Sequence, residues 1–377
     1  MFFILVFVMW AALNSYVFIR IWQALSIPPG FKIFYIAVAV LVALSMPLTM
    51  MLRENLSPGW SGTLQMISGT WMIILVYAAL LFLFFDILRA VHYFVHFFPE
   101  VITGNYVLAK RILFSVGVLT VGIILAAGHW KFNHPQIARL ELTTEKPLGP
   151  DGKVELIFFS DLHLGSLVSS KQLEHYVELI GREKYDMLLI GGDFTDGDHD
   201  VWKKRNFAGI LSEIRPRYGT YVAMGNHEYY NGVQESLDFI RSAGFIPLKD
   251  QSFTIPEKNI TLVGRDDRTN TSREAAEELI TPLDHSYYII TMDHQPAELA
   301  QVARAGADLL LCGHTHNGQV FPLTVLIKLM WEVAYGYKRI GDMDLYVSSG
   351  LGLWGPQYRI GSDSEIVHIT IRENRGN

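Results

Sequence analysis

The chain has 377 residues, of which 50% are hydrophobic and 18% are charged, and its formal net charge is −6. This length allows one large domain plus an accessory region, and a composition this apolar indicates membrane segments rather than an ordinary soluble enzyme. The negative charge and the lack of any basic block in the sequence exclude nucleic acid as a partner. A single cysteine, Cys312, excludes an internal disulfide.

Four long apolar segments occupy the first third of the chain, at 2–19, 33–52, 66–85 and 112–130. Each is close to the roughly 20 residues that a helix needs to cross the hydrocarbon of a membrane. A buried helical core is the alternative, but four such segments in one third of a chain disfavour it. The first segment lacks a basic start and a small-residue cleavage site, which disfavours a signal peptide. We therefore predict a transmembrane region of four helices over residues 1–130.

The orientation of a membrane protein follows from Lys and Arg, which are enriched in cytoplasmic loops. The loops after the first and third segments carry five such residues: Arg20, Lys32, Arg89, Lys110 and Arg111. The opposite side carries two, Arg53 and Lys131. We therefore predict a multi-pass protein of the plasma (inner) membrane, with both termini and the region after residue 130 on the extracytoplasmic side.

Two polar features near the end of the third segment each have two interpretations. Asp86 can belong to an ion or proton site, but Arg89 one helical turn later favours an interfacial ion pair. His92 and His96 can form half of a metal site through their i,i+4 spacing. The aromatic residues around them favour an aromatic belt at the membrane interface instead.

From residue 137 to the end, apolar strand-like runs alternate with amphipathic stretches, as in an α/β fold. The runs "IARLELT" and "VELIFF" are predicted strands that are joined through a turn at 149–152. Five runs end in polar residues: "VELIFFSDLH", "YDMLLIGGDFTD", "GTYVAMGNHE", "YYIITMDHQP" and "DLLLCGHTHNG". Because functional groups gather beyond the carboxyl ends of strands in such sheets, we expect the five ends to converge on one cleft.

The residues at these ends that can bind metal are Asp161, His163, Asp193, Asn226, His294, His314 and His316. They are too many for one tetrahedral ion and suit two divalent ions that share a bridging carboxylate. Cys312 lies inside an apolar run and is expected to be a buried, inert thiol. A donor set of nitrogen and oxygen alone suits Mn2+, our first choice, or Fe, Zn2+ or Co2+.

Two such ions can hold a hydroxide between them and clamp both oxygens of an in-line displacement, which predicts phosphoester hydrolysis. His227 directly follows Asn226, and it can protonate the leaving alcohol or stabilise charge on the phosphoryl oxygens. Five polar strand ends in register disfavour a purely structural explanation.

The blocks "DLHLG", "GGDFTD", "GNHEYY", "DHQP" and "GHTHNGQ" resemble, in this order, those of calcineurin-like metallophosphoesterases, and "VSSGLGLWGPQYRI" is similar to their bacterial membrane-associated subgroup. The resemblance covers residues 137–377 and implies a four-layer α-β-β-α sandwich as the catalytic domain. It also implies a division of the ligands between two ions. One ion would be held by Asp161, His163, Asp193 and His316, and the other by Asp193, Asn226, His294 and His314.

In the same resemblance, His227 is the general acid or the histidine that contacts phosphate, and Asp196 and Glu228 support a loop or a ligand. The sequence departs from the subgroup at Asn317, where glycine is common, and at Asp293, where a small residue is common. Neither departure removes a ligand.

The apolar segment at 320–339, "VFPLTVLIKLMWEVAYGYKR", follows the last histidine pair. It is either a helix or lid that reaches the bilayer surface or an acyl chain, or a stretch that packs onto the core. The membrane tether favours the lipid interpretation. Arg359 is a candidate contact for a phosphate or headgroup, with a surface salt bridge as the equal alternative. Residues 265–267 can line the cleft, without a specific role.

The sequence therefore predicts a membrane-anchored two-metal phosphoesterase. It would hydrolyse a phosphate ester, phosphodiester or pyrophosphate bond of a membrane lipid or lipid-linked substrate, by attack of a metal-bridging hydroxide. One alternative is a tethered hydrolase of soluble phosphoesters. Another is a transporter or sensor with a regulatory phosphoesterase domain, which the few polar residues inside the apolar segments, such as Asn14, disfavour.

Overall fold

A computed structural model describes residues 2–52, 55–197 and 199–374 of the chain. It divides into two compact units, Met1–Ala127 and Gly128–Asn377, which are called the N-terminal and C-terminal units below. Arg53, which entered the count of loop charges, lies outside the described residues. The predicted domain limits, 1–130 and 137–377, stay predictions.

The described part of the N-terminal unit is helical. Its helices are α1 (Phe2–Leu25), α2 (Lys32–Leu52), α3 (Pro58–Val95), α4 (Glu100–Thr103) and α5 (Tyr106–Asn133), with a 3-10 turn at Pro29–Phe31. Each predicted apolar segment lies inside a long helix, and four helices are long and apolar enough to cross a membrane. At 1.5 Å per residue, the 38 residues of α3 span about 57 Å, so this helix exceeds the roughly 30 Å of hydrocarbon.

Asp86 of α3 forms polar contacts with α1. Its carboxylate accepts a hydrogen bond from the Tyr16 hydroxyl at 2.7 Å and pairs with the Arg20 guanidinium. Arg89, the expected partner, is 3.8 Å away. The ion pair expected at this position therefore exists, but its principal partner comes from another helix. The pairing of Asp86 with Arg20 depends on how α1 packs against α3, and the sequence around Asp86 does not indicate it.

His92 and His96 belong to the end of α3. The Nδ1 atom of His92 accepts a hydrogen bond from the backbone N–H of Phe98 at 3.0 Å, and the His92 ring stacks on the Phe98 ring with centroids 4.4 Å apart. His96 has a left-handed backbone and terminates the helix. These contacts give both histidines a capping role among aromatic rings, and the aromatic belt at a membrane interface stays a prediction.

The C-terminal unit has both helices and strands. Its described helices are α6 (Ser170–Gly181), α7 (His199–Lys204), α8 (Phe207–Leu211), α9 (Asn226–Asn231), α10 (Val233–Ser242), α11 (Ala276–Ile280), α12 (Leu299–Ala305) and α13 (Leu323–Met330), with 3-10 turns at Pro256–Lys258 and His316–Gly318. Its described strands are β1 (Gln136–Thr144), β2 (Lys153–Phe159), β3 (Met187–Ile190), β4 (Thr220–Ala223), β5 (Ile246–Leu248), β6 (Gln251–Ile255), β7 (Ile260–Gly264), β8 (Tyr288–Met292), β9 (Leu309–Cys312), β10 (Gly336–Ile340), β11 (Met343–Val347) and β12 (Glu365–Glu373).

The strands form two six-stranded sheets. The first has the order β1-β12-β2-β3-β4-β5 and the second the order β10-β11-β9-β8-β7-β6. Strands β2 to β5 run parallel, as do β7, β8 and β9. β12 lies between β1 and β2, parallel to β1 and antiparallel to β2. β1 and β2, the two predicted strands that the turn at 149–152 joins, are therefore consecutive in the sequence but not neighbours in the sheet.

Alternate residues of the strands pack on opposite faces, which produces four layers. Leu188 of β3 packs against α6, α7, α8 and α10, whereas the next residue, Leu189, packs between the two sheets. In the second sheet, Leu309 of β9 faces the space between the sheets and Leu310 faces α11 and α12. The predicted α-β-β-α sandwich is confirmed, and the carboxyl ends of its parallel strands lie along one edge.

Candidate metal centre

Five strand ends bring their polar residues together at this edge. Asp161 and His163 follow β2, Asp193 follows β3, and Asn226 follows β4. His294 follows β8, and the pair His314 and His316 follows β9. The first sheet therefore supplies four candidate ligands and the second sheet three. All seven residues of the predicted set lie in the cluster.

The first group of potential ligands is Asp161, His163 and His316, whose nearest ligand atoms all lie within 4.8 Å of one another. The Nε2 atoms of the two histidines are 3.2 Å apart, and His316 Nε2 is 3.4 Å from Asp161 Oδ1. Two nitrogens bound at about 2.1 Å to one ion, at an angle of about 90–109°, lie roughly 3.0–3.4 Å apart. The spacing therefore suits two ligands of a single ion.

The second group is Asp193, His294 and His314, again within 4.8 Å. His294 Nε2 is 3.1 Å from Asp193 Oδ2, and His314 Nδ1 is 2.9 Å from Asn226 Oδ1. His294 Nδ1 contacts the carbonyl of Gly191 at 2.8 Å, which places the ring proton on that nitrogen and leaves Nε2 available. Asp193 Oδ2 is also 3.8 Å from His163 Nε2, so this carboxylate lies between the two groups.

The protonation of these imidazoles suits metal binding, which requires the neutral ring. Burial lowers the pKa of His163 to about 3, and burial also lowers the pKa of His314 and of His316. Burial alone would lower the pKa of His294 too, but the Asp193 carboxylate raises it well above its ordinary value. A metal ion bound between the His294 ring and the Asp193 carboxylate would take the place of the proton on His294.

The left-handed backbone of five candidate ligands is the strongest local sign of a functional site. Their φ angles lie between 47° and 69° at Asp161, His163, Asp193, His314 and His316. Such a conformation costs an L-residue about 1–2 kcal/mol, and residues of this kind concentrate at active sites. Asn317 also has a positive φ, 48°, which explains why glycine or asparagine suits that position.

Two glycines allow the strand ends to approach closely. A Cβ atom on Gly225 would lie 2.3 Å from Asp193 Oδ1, and one on Gly313 would lie 2.5 Å from Asp161 Oδ2. Real Cβ atoms do not approach neighbours this closely, so a larger residue at either position would displace a candidate ligand.

His227 lies beside the cluster but has a different environment. Its Nδ1 is 3.1 Å from Asp196 Oδ1, and its backbone N–H donates to Asp193 Oδ1 at 2.9 Å. Burial would lower its pKa, but the hydrogen bond to Asp196 and the charge of Asp193 raise it. Geometry alone would also group His227 with His163 and Asp193 as ligands. Because Nδ1 is engaged by Asp196 and the pKa of the ring is raised, the environment suits a proton donor.

Glu228 organises the loop that carries Asp193. Its buried carboxylate accepts hydrogen bonds from the backbone N–H groups of Asp193, Phe194, Thr195 and Gly225, at 2.7–3.1 Å, and from the Thr195 hydroxyl. Asp196, by comparison, supports His227 rather than a ligand histidine. Glu228 therefore positions the loop of Asp193, and Asp196 positions His227.

Arg359 differs from both interpretations of its sequence position. It is fully buried, and its guanidinium donates to the backbone carbonyls of His316, Gly350 and Gly352 at 2.8–3.0 Å. It is neither exposed to a phosphate nor part of a surface salt bridge. Burial lowers its pKa to about 10. A buried guanidinium that binds carbonyl groups leaves no pattern in the sequence, which is why the prediction failed.

Residues 265–267 are buried behind His294 and do not line an open cleft. Arg265 Nη1 pairs with Asp293 Oδ2 at 2.6 Å, and Asp267 accepts from the Gln295 amide at 3.0 Å. Asp293, the departure from the subgroup, is thereby neutralised next to a candidate ligand. Cys312 is fully buried as predicted, and burial raises the pKa of its thiol.

Three aromatic residues lie at the cluster although the sequence did not indicate them as parts of the site. Trp331 contacts the His314 ring edge to face, with centroids 5.5 Å apart. Tyr230 and Trp354 approach the His227 ring at 5.3 and 6.3 Å, and both side chains are mostly exposed. Trp354 lies in "LGLWGPQ", part of the stretch that is similar to the bacterial membrane-associated subgroup. That similarity was the one sequence feature that could have placed Trp354 at the site.

The residues of the cluster fit a pair of divalent ions. The donors are imidazole nitrogens and carboxylate or amide oxygens, in two overlapping groups around Asp193. Within the described part of the chain, His294 Nε2 is buried without a hydrogen-bond partner and points toward two carboxylates, Asp193 and Asp161. A buried nitrogen in this position can be satisfied in two ways: it binds a metal ion, or it carries a proton that faces the carboxylates.

Comparison with known proteins agrees with this geometry. The family described as calcineurin-like phosphoesterase matches residues 155–318. An uncharacterized metallophosphoesterase of Helicobacter pylori is 32% identical over 59% of this chain and 60% of its own length. One from Aquifex aeolicus is 32% identical over 68% of this chain and 99% of its own length. A Danio rerio protein named transmembrane protein with metallophosphoesterase domain is 32% identical over 72% of this chain and 64% of its own.

The chain therefore belongs to the calcineurin-like phosphoesterase family, as the motifs indicated. With its four long apolar helices and its similarity to proteins named as transmembrane, it is a multi-pass membrane protein. The chain matches about 60% of the length of the Helicobacter pylori relative, so the activity of the whole protein is a proposal.

Proposed function

We propose that this protein is a membrane-anchored, two-metal phosphoesterase that hydrolyses a phosphate ester, phosphodiester or pyrophosphate bond of a membrane lipid or lipid-linked substrate. The observation that carries the proposal is the convergence of seven nitrogen and oxygen ligands from five strand ends, with Asp193 between the two groups. Family membership supports the same chemistry.

In this proposal, Asp161, His163, Asp193 and His316 hold one ion, and Asp193, Asn226, His294 and His314 hold the other. Mn2+ is our first choice, with Fe, Zn2+ and Co2+ compatible with the same donors. When bound, the two ions supply a hydroxide nucleophile and neutralise charge on the phosphoryl group.

The residues of the chain then have separate tasks. Asp196 holds His227 through Nδ1 and raises the pKa of the ring, so that its other nitrogen would give a proton to the leaving oxygen. Glu228 fixes the loop of Asp193, and Arg359 fixes the carbonyl of His316. Neither residue touches the substrate.

The lipid substrate is supported by the setting of the site. The chain is held in a membrane, so lipid headgroups are present at high local concentration. The exposed rings of Tyr230 and Trp354 beside His227 offer apolar and aromatic surface rather than a cluster of charges. Such surface suits a substrate with an apolar part.

We further propose the plasma (inner) membrane as the location, with the C-terminal unit on the extracytoplasmic side, on the basis of the loop charges. A reporter fused to the C terminus tests this orientation. Activity of a reporter that works only in the periplasm is expected, and activity of one that works only in the cytoplasm would contradict it.

The activity is tested with the purified full chain in nanodiscs made from a total lipid extract and supplied with Mn2+. Mass spectrometry would compare lipid products with those of the Asp193→Asn variant, which lacks the shared ligand charge. We expect a lipid that loses phosphate or a headgroup only with the wild-type chain. Cleavage of a soluble diester without any lipid turnover would favour the alternative of a tethered hydrolase for soluble phosphoesters.

A further inference from the structure

A continuous apolar surface lies on α13 in the C-terminal unit. Val325, Leu326, Leu329 and Met330 are 53%, 52%, 80% and 68% exposed, and Phe321 just before the helix is 47% exposed. We call these five residues the α13 surface. Exposed apolar side chains clustered in this way mark a site of interaction with protein or lipid.

The α13 surface results from how the helix is attached. Thr324 is buried and Ile327, one turn later, is half-buried, so that α13 contacts the sandwich along this one narrow stripe. At 100° per residue, Leu326 and Leu329 lie about 160° and 140° around the helix from Thr324, and Val325 lies about 100° from it. The helix therefore directs its apolar side away from the core. The alternative interpretation, that 320–339 packs onto the core, applies to Thr324, Val333 and Ala334, which are buried, and the last residues of the segment belong to β10.

The start of α13 is bonded to the segment that also holds the end of α5. Phe321 N–H donates to the Ile360 carbonyl at 2.7 Å, and Arg359 N–H donates to the Gly128 carbonyl at 2.9 Å. Lys131 also pairs with Asp363 at 2.6 Å. Residues 128–133 are the last turns of α5, whose apolar run ends at 130. The start of α13 and residues 128–133, which follow the fourth apolar segment, are therefore bonded to the same stretch of chain at 359–363.

The residues around the α13 surface are those found at membrane interfaces. Tyr335 and Tyr337, which follow α13 in the sequence, are 41% and 49% exposed, and Lys328 and Arg339 are exposed cations. Lys338 is also exposed but pairs with Glu332 at 3.0 Å. Aromatic and basic side chains concentrate at the level of lipid headgroups, where the cations attract anionic lipids. An apolar centre with aromatic and basic neighbours is typical of a helix that lies at a lipid interface.

The α13 surface also leads to the metal cluster. Trp331 directly follows Met330, and its ring contacts the ring of His314. A molecule whose apolar part lies along the α13 surface would therefore have its polar end near the candidate ligands.

We propose that the α13 surface inserts into the interfacial layer of the lipid bilayer and brings the metal cluster to the lipid headgroups. The inference deepens the proposed function and rests on it in one respect, namely that a headgroup phosphate is the substrate. Its physical part, the contact between α13 and the bilayer, is independent of catalysis. An interfacial helix of this kind buries its apolar side about 5–10 Å into the boundary between headgroups and acyl chains.

The contact is measured with a fluorophore on single cysteines in the full chain, reconstituted in nanodiscs. Leu326→Cys and Leu329→Cys place the fluorophore on the α13 surface. Ser252→Cys places it on β6, at the opposite edge of the second sheet from β10. The native Cys312 is fully buried, and the wild-type chain treated in parallel gives the background. The two quenchers are spin-labelled lipids and aqueous iodide.

We expect lipids labelled near the headgroup to reduce the fluorescence at Leu329→Cys and Leu326→Cys roughly twofold or more, and to leave Ser252→Cys unchanged. Labels at the end of the acyl chain should quench less. Equal quenching of Leu329→Cys and Ser252→Cys by iodide, with none by lipid, would overturn the proposal. Protection of Leu329→Cys from both quenchers would also overturn it, because a second copy or another protein would then cover the surface.

The same measurement is repeated in the Asp193→Asn variant and with a chelator, where we expect the quenching to persist. Failure of the proposed function then appears as absent lipid turnover with the lipid quenching intact. Failure of this inference appears as lipid turnover with a water-exposed Leu329→Cys.

Discussion

Glu228 shows how a residue that touches no ion can determine whether ions bind. Its carboxylate has two oxygens that together accept five hydrogen bonds, four of them from backbone N–H groups. A carboxylate is the only common side chain that accepts at both ends. The conformation of the Asp193 loop, with its left-handed φ, therefore depends on this one buried charge.

The Glu228→Gln variant is expected to bind metal roughly 10–100-fold more weakly, as when other supports of metal ligands are removed. In either orientation, the amide NH2 of glutamine would face N–H donors of the loop, so the isosteric change still breaks bonds. Titration with Mn2+ by calorimetry measures the affinity. Unchanged affinity in a folded variant would show that the Asp193 loop holds its shape without the carboxylate.

Arg359→Lys is the second prediction at this scale. The guanidinium spans three carbonyl groups and the Ser364 hydroxyl, whereas one ammonium cannot reach all of them. We expect unfolding to become easier by about 2–4 kcal/mol, because buried carbonyls lose their donors. Arg241→Lys, at an exposed pair with Asp238, is the matched control and should change stability by less than about 0.5 kcal/mol. Equal effects in denaturant titrations of the two variants would refute the role of Arg359.

At the scale of elements, the turns that follow the strands determine how closely the candidate metal ligands approach one another. The strand ends meet closely because Gly225 and Gly313 carry no Cβ atom where Asp193 and Asp161 pass. Both carboxylates are candidate ligands, so the metal cluster depends on glycines that make no contact with any ion.

We predict that Gly225→Ala displaces Asp193 and weakens metal binding at least about tenfold. Gly181→Ala is the control, since nothing lies within 4 Å of its Cβ position at the end of α6. That change should leave metal binding intact and stabilise the helix slightly, by up to about 1 kcal/mol. Bound metal per chain, measured after gel filtration, separates the two variants, and a fully loaded Gly225→Ala protein would refute the argument.

Elements also mark the limit of prediction from sequence. The strand-end rule located every candidate ligand because parallel strands in one sheet place their carboxyl ends together. It did not place β12 between β1 and β2, which requires a pairing across more than half of the chain. The bond from Arg359 to the His316 carbonyl and the pairing of Asp86 with Arg20 were not predicted for the same reason, because these partners are 43 and 66 residues apart in the sequence.

On the scale of the C-terminal unit, the candidate ligands connect the two sheets. Asp161, His163, Asp193 and Asn226 follow strands of the first sheet, whereas His294, His314 and His316 follow strands of the second. Each predicted ion has ligands from both sheets. Bound ions would therefore act as cross-links at one edge of the sandwich, and would also relieve the repulsion between the buried carboxylates.

Metal removal should consequently destabilise the fold as well as stop catalysis. Each ion present at 100 times its dissociation constant would stabilise the folded state by about 2.7 kcal/mol, which corresponds to roughly 5–10 °C per ion in the melting temperature of a unit this size. We expect a chelator to produce this loss in the wild-type chain. In the Asp193→Asn variant the chelator should change little, because the shared ligand is already impaired.

Hydrogen exchange locates the effect. Amides just beyond β2, β3, β8 and β9 should lose protection together when metal is removed, because each ion joins both sheets. The backbone of β6, at the far edge of the second sheet, should keep its protection and serves as the internal control. Loss of protection after the strands of one sheet alone would mean that the ions do not bridge the sheets, and the assignment of ligands to the two ions would have to change.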